Sequence, residues 1–182
     1  MARPHTLDVS LFLPRAAREV FPFFADAANL EAITPPWLNF EIASALPISM
    51  REGAIIEYRL RLRGIGIAWK TRIDAYDPPR MFIDVQTAGP YRLWRHTHLF
   101  HEIGPLGDRP AGTLVRDRVE YLLPRLPPGV YGAVHRLLVR PELERIFRHR
   151  QARIIELMSV PAESGDARAG AGPASLVSPS AR

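Results

Sequence analysis

Gly53-Ala54-Ile55-Ile56-Glu57-Tyr58-Arg59-Leu60-Arg61-Leu62-Arg63 decides the fold. Ala54, Ile56, Tyr58, Leu60 and Leu62 fall on one face of an extended chain, and Glu57, Arg59, Arg61 and Arg63 fall on the other. Such alternation marks a strand with one covered and one wet face. A second run, residues 113–123, sets Val115, Asp117, Val119, Tyr121 and Leu123 against Arg116, Arg118 and Glu120. Both runs are about ten residues, nearly twice the usual strand length. Long twisted strands curl, so their apolar faces line a concavity that needs an apolar cover.

Outward from these runs, further strands are expected at residues 5–13, 39–46, 67–75, 80–88 and 93–103, joined by turn-forming Gly and Pro. Gly64-Ile65-Gly66 is a hairpin turn; it is not a phosphate loop, because no helix follows it. Pro14 opens a helix that Pro22 should kink, and a short helix over residues 27–33 stops at Thr34-Pro35-Pro36. The cover comes last. Val134, Leu137, Leu138, Leu143, Ile146, Phe147, Ile154, Leu157 and Met158 form an apolar stripe at helical spacing over residues 129–158. At 1.5 Å per residue that helix is on the order of 40 Å long, and Pro141 should kink or restart it. A straight rod against a curved sheet leaves space, which is a ready ligand pocket. The expected architecture is α+β: about seven antiparallel strands wrapped around a long C-terminal helix over residues 1–158, with a disordered tail at 159–182.

The chain has 182 residues, enough for one well-buried core. It has no cysteine, which excludes disulfides, thiolate metal sites and cysteine nucleophiles. No Ser sits in a Gly-x-Ser-x-Gly elbow. No apolar run suits a membrane span or a signal peptide, so a cytoplasmic protein is expected. The net charge is +5, and of 24 basic residues only Lys70 is lysine. The arginines are spread along the chain and interleaved with Asp and Glu, so they read as solvated surface and no nucleic-acid partner is assigned. The arginines of the C-terminal helix, Arg136, Arg140, Arg145, Arg148, Arg150 and Arg153, are read the same way. Docking of that basic face on a membrane surface stays open, as does the oligomeric state.

Several segments together resemble a known group. They are Asn29-Leu30 with Ile33-Thr34-Pro35-Pro36-Trp37; Gly89-Pro90-Tyr91 followed by Trp94, His96, His98 and Phe100; Thr113, Val115, Asp117, Val119 and Tyr121; and Leu143-Glu144-Arg145-Ile146-Phe147 with Arg150. In this order they are similar to the helix-grip (SRPBCC) superfamily of START-type, polyketide cyclase/dehydrase and lipid-binding proteins, and within it to bacterial ligand-binding members. The resemblance implies a fold that hosts carriers, sensors, cyclases and hydrolases, so it does not choose a function. It also implies that Phe82, Asp84 and Gln86 face inward, whereas alternation alone favours Met81, Ile83 and Val85.

His96, His98, Asp117 and Tyr121 are polar groups on the apolar faces of two neighbouring strands. Buried polar groups need partners. These four can form an internal network, orient a ligand oxygen, or act in acid-base catalysis as in aromatase/cyclase relatives. His96-x-His98 places two imidazoles on one strand face, but a metal needs a third ligand. Asp117 could serve, His101 points the other way, and no further ligand motif lies near, so no metal and no cofactor is assigned. Tyr58, Trp69, Trp94 and Phe100 should join them as core or as a stacking surface. Trp37, after two prolines, is either a mouth residue or a cap on the core. The expected function is binding of a hydrophobic small molecule, such as a lipid, quinone, isoprenoid or polyketide, as carrier or sensor. The alternative is a cyclase/dehydratase-type enzyme using His, Asp and Tyr.

Overall fold

The computed structural model describes residues 3–127 and 129–159. Apart from Ser159, the tail expected to be disordered lies outside the described residues. The strands are β1 (His5–Leu13), β2 (Glu41–Ile42), β3 (Ile55–Leu62), β4 (Ile65–Asp77), β5 (Met81–Ala88), β6 (Leu93–Ile103) and β7 (Gly112–Leu122). They form one antiparallel, curved sheet in the order β1-β7-β6-β5-β4-β3-β2. Helices α1 (Ala17–Phe24) and α2 (Asn29–Ile33) connect β1 to β2, and α1 runs on through Pro22. The chain ends in α3 (Val130–Val134), a π-helical turn (His135–Val139) and α4 (Arg140–Ser159). This is the helix-grip arrangement.

The strand expected at residues 39–46 shrinks to Glu41–Ile42, paired with Arg59 and Tyr58. The β3–β4 hairpin closes tightly on Arg63 (φ 52°) and Gly64 (φ 83°), with Leu62 opposite Ile65. Two consecutive positive φ values are the turn that suits the twist of a hairpin. A bulge in β4 carries the register from Ile73↔Asp84 to Ala75↔Ile83, so that Tyr76 meets Phe82. The extra residue swaps the parity of β4: Thr71 and Ile73 face the concavity before it, and Tyr76 after it.

On β5 it is Phe82 and Asp84 that face inward, as the resemblance implies and against the alternation reading. Ile83 is nevertheless buried and Val85 half-buried. Val85 lies opposite both Arg72 and Arg95 on the outer face, and those arginines are tied to Asp74. Long arginine stems shield apolar side chains from water, so an apolar outer face misleads the pattern.

The core has two parts. In one, Phe21 and Phe24 of α1 pack with Phe82, Phe100, Val115 and Ile154. In the other, Leu143 and Phe147 of α4 pack with Val119, Tyr121 and Leu123. The π turn comes immediately before Pro141. Proline has no N–H to give and its ring crowds the carbonyl four residues back. A wider turn relieves both, so the helix continues past Pro141. No helix among the described residues is long and apolar enough to cross a membrane.

Candidate functional site

Register builds the site. Across the sheet Asp84 lies opposite His96; one row along, Phe82 lies opposite His98 and His98 opposite Asp117. Opposed residues project to the same side with Cβ atoms about 5 Å apart. Asp84, His96, His98 and Asp117 are therefore brought into one patch on the concave face.

The two imidazoles stand between the two carboxylates. Asp84 Oδ2 lies 3.2 Å from His98 Nε2 and 3.5 Å from His96 Nδ1. Asp117 Oδ1 lies 2.7 Å from His98 Nδ1 and 3.3 Å from His96 Nε2. Only His98 Nε2 and Asp84 make a hydrogen bond. His96 Nε2, His98 Nδ1 and Asp117 Oδ1 are buried and, among the described residues, have no hydrogen-bond partner. The rings lie against each other tilted by 39°, at 3.8 Å between centroids, with Phe82 stacked on His98 at 4.1 Å.

Electrostatics split the pair. Burial, then the neighbouring His98 charge, holds the His96 imidazole below its ordinary value against the pull of the carboxylates. Burial also opposes a charge on His98, but Asp117 and Asp84 together outweigh it and raise the imidazole above its ordinary value. Burial would raise Asp117; the His98 charge, with His96, holds it well below the ordinary carboxylate range. Of the two imidazoles, His98 is therefore the one that takes up a proton more readily, next to an Asp117 carboxylate that holds its charge.

This patch forms part of the wall of a cavity of about 560 Å³ between the sheet, α2 and α4. Asp84, His96 and His98 reach it. A second wall is aromatic: Trp69 stacks on Tyr58 at 5.8 Å and meets Trp94 edge-on at 5.2 Å, and Tyr91 closes on Trp94 at 4.9 Å. Trp69 Nε1 donates to Thr71 Oγ1 at 3.1 Å, and the Tyr58 hydroxyl lies 3.3 Å from the same oxygen. Burial pushes the Tyr58 and Tyr91 phenols up, so both stay protonated. From α4 come Phe147, 5.5 Å from the His96 ring, and Arg150.

Of the residues singled out from sequence, Tyr58, Trp69, Trp94, His96 and His98 line the cavity; Phe100, Asp117 and Tyr121 are not among its lining. Phe100 packs against Phe21 and Phe24 in the core. Asp117 sits behind the histidines. Tyr121 is in a different cluster, its hydroxyl 2.9 Å from His135 Nε2. Trp37 is at the surface, its indole donating to Glu142 and lying under the Arg145 guanidinium.

Sequence reasoning assigned no role to Asp84, Thr71, Tyr91 or Phe147. Asp84 could have been found by pairing residues 80–88 against the His-x-His strand. Arg150, read as part of a solvated basic face, instead lines the cavity, and its Nε is buried with no hydrogen-bond partner among the described residues.

No protein-family model matches the chain, and no curated protein matches it. Solved structures do. The Zhui aromatase/cyclase from Streptomyces sp. R1128 is similar at TM-score 0.66 and 16% identity, over 90% of this chain and 99% of that one. Protein CV1439 from Chromobacterium violaceum is similar at TM-score 0.61 and 12% identity, over 85% and 98%. A START superfamily protein from Mycobacterium smegmatis is similar at TM-score 0.56 and 15% identity, over 84% and 99%. At these identities the likeness is one of fold, and the chain shares the helix-grip fold of these structures.

Proposed function

We propose that this protein binds a hydrophobic small molecule, of the lipid, quinone, isoprenoid or polyketide kind, as a carrier or sensor. The observation that carries this reading is the cavity of about 560 Å³ with one aromatic wall and one compact polar patch. Ligand sites typically enclose about 300–1,000 Å³, mostly apolar, with a few placed polar groups. Tyr58, Trp69, Tyr91 and Trp94 offer flat surface to a ring or polyene. Arg150 and the Asp84–His98 pair offer donors to a carbonyl, carboxylate or phenolic oxygen.

Native mass spectrometry of untagged protein, followed by solvent extraction, tests this. A bound apolar molecule in the mass range that such a cavity admits is the expected result. Protein that carries nothing, and whose Trp fluorescence responds to no member of a panel of fatty acids, quinones, isoprenols and polyketides, would overturn it.

One observation favours a second reading, a cyclase/dehydratase-type enzyme. Two buried imidazoles shifted in opposite directions, His96 down and His98 up, both reaching the cavity, offer a base and an acid of the same residue type at one wall. Tyr121, engaged with His135, would not take part. Turnover of a poly-ketone that is lost in His98→Gln, with uptake of the same molecule retained, would select this reading.

A further inference from the structure

We infer that Asp84, His96 and His98 form a binding site for one first-row divalent cation, such as Zn²⁺ or Fe²⁺, on the cavity wall, with Asp117 orienting both histidines from behind. For the His-x-His pair the sequence offered only Asp117 as a third ligand. The fold supplies Asp84 instead, from β5, the strand whose inward face alternation misreads.

The donor spacing carries the inference. Asp84 Oδ2 stands 3.5 Å from His96 Nδ1 and 3.2 Å from His98 Nε2, and one ligand atom from each of the three residues can be chosen so that all lie within 4.8 Å of one another. Donors held about 2.1 Å from one ion are about 3.0 Å apart at octahedral angles and about 3.4 Å apart at tetrahedral angles. The 3.2 Å separation lies between these values and the 3.5 Å one just above the tetrahedral figure. The longer is beyond a hydrogen bond, so a shared proton accounts for one contact and not for both.

A second, independent observation concerns the far side of the rings. The nitrogens turned away from Asp84, His96 Nε2 and His98 Nδ1, both face Asp117 Oδ1, and all three atoms are buried without a hydrogen-bond partner among the described residues. Metal-bound histidines characteristically give their other N–H to a carboxylate. A cation between Asp84 and the rings would fix Nδ1 of His96 and Nε2 of His98 as ligands. It would leave their opposite nitrogens as N–H groups beside the Asp117 carboxylate, whose negative charge offsets that of the cation. Two histidines and one carboxylate leave further coordination positions toward the cavity. This is the pattern of ligand-accepting Zn²⁺ and non-haem Fe²⁺ sites. The occupant of those positions would be an oxygen of the molecule held in the cavity. Metal binding itself rests on the donor set alone and does not depend on the ligand-binding reading.

The test uses the full chain purified without an affinity tag, stripped with chelator, extracted with solvent and titrated with Co²⁺ and Zn²⁺ alone. One equivalent of Co²⁺ should bind and give visible ligand-field absorption. Of the six histidines, only the ring signals of His96 and His98 should broaden and shift by NMR. Asp84→Asn and His98→Gln should weaken binding at least a hundredfold. Asp117→Asn should keep one-to-one binding but weaken it about 10–100-fold. Binding well below one equivalent, or shifts confined to His5, His135, His101 or His149, would overturn the inference. So would wild-type affinity in a folded Asp84→Asn protein. The NMR readout uses wild-type protein, so a variant that fails to fold does not rescue the idea. Metal binding without any apolar ligand, or an apolar ligand without metal, separates the fate of this site from that of the cavity.

Discussion

A carboxylate taken out of water costs several kcal/mol unless an opposite charge and good contacts stand beside it. Asp117 is buried with His98 Nδ1 at 2.7 Å, and each group favours the ionised form of the other. Asp117→Ala would leave the His98 charge with Asp84 alone and should destabilise the protein by about 3–5 kcal/mol, read as a fall in the urea midpoint at pH 7. Asp117→Asn, which keeps the shape, should cost less. A change under about 1 kcal/mol for the alanine variant, no more than a surface pair is worth, would show that His98 does not depend on this partner. At this scale the sequence was partly legible. Alternation put His96, His98 and Asp117 on the concave face because their neighbours Arg95, Arg116 and Arg118 are unmistakably outward. It could not separate Tyr121 from them. Alternation reports a face, not a neighbourhood, and four residues along a strand is about 13 Å, which carries Tyr121 to His135. Asp84 was illegible because apolar side chains occupy both faces of β5, the outer ones under arginine stems.

The C-terminal helix is fastened to the sheet at its first turns by a stack. His135, in the π turn, lies 3.5 Å from His5 of β1 between ring centroids, with Tyr131 of α3 5.9 Å from His5 and Tyr121 of β7 bonded to His135. Arg140, at the start of α4, adds positive charge. Burial first, then His5 and Arg140, holds the His135 imidazole below its ordinary value of 6.5. The unfolded chain therefore takes up the proton at higher pH than the folded one, so this group's contribution is full above pH 6.5 and is lost as pH falls below it. His135→Gln, which can still reach Tyr121, should melt with less dependence on pH than wild type between pH 7.5 and 5.5. Parallel curves for the two proteins would refute the assignment. The π turn was only half legible. Pro141 announced a break in the helix, but whether a proline kinks, restarts or widens a helix depends on what packs beside it.

At the scale of the whole molecule, the order of elements was readable because each local signal agreed with the fold. Two long half-wet strands demanded curvature, hairpin-length links demanded antiparallel pairing, and one long amphipathic helix remained as the cover. The cavity follows from the mismatch between a rod and a saddle. Its chemistry did not follow, because it depends on side chains from β4, β5, β6 and α4 that meet only through register. Arg150 illustrates the point: on a helix dense with charge, one arginine turned inward has the same sequence signature as its solvated neighbours.

The brevity of β2 has a further consequence. It pairs only with Tyr58 and Arg59, so among the described residues the Leu60–Leu62 half of β3, paired with β4 on one side, has no strand on its outer side. An unpaired strand margin is a template on which another chain can add itself and begin to aggregate. Arg59, Arg61 and Arg63 alternate along it and are all exposed. A second copy approaching margin to margin would set like charges against each other, so these arginines act as gatekeepers against self-association. Replacing Arg61 with threonine and Arg63, which sits at positive φ, with asparagine should leave the melting temperature nearly unchanged and raise light scattering on storage. The same increase should appear for the wild type when salt screens the charges. If the double variant stays as monodisperse as the parent, some other device protects that margin.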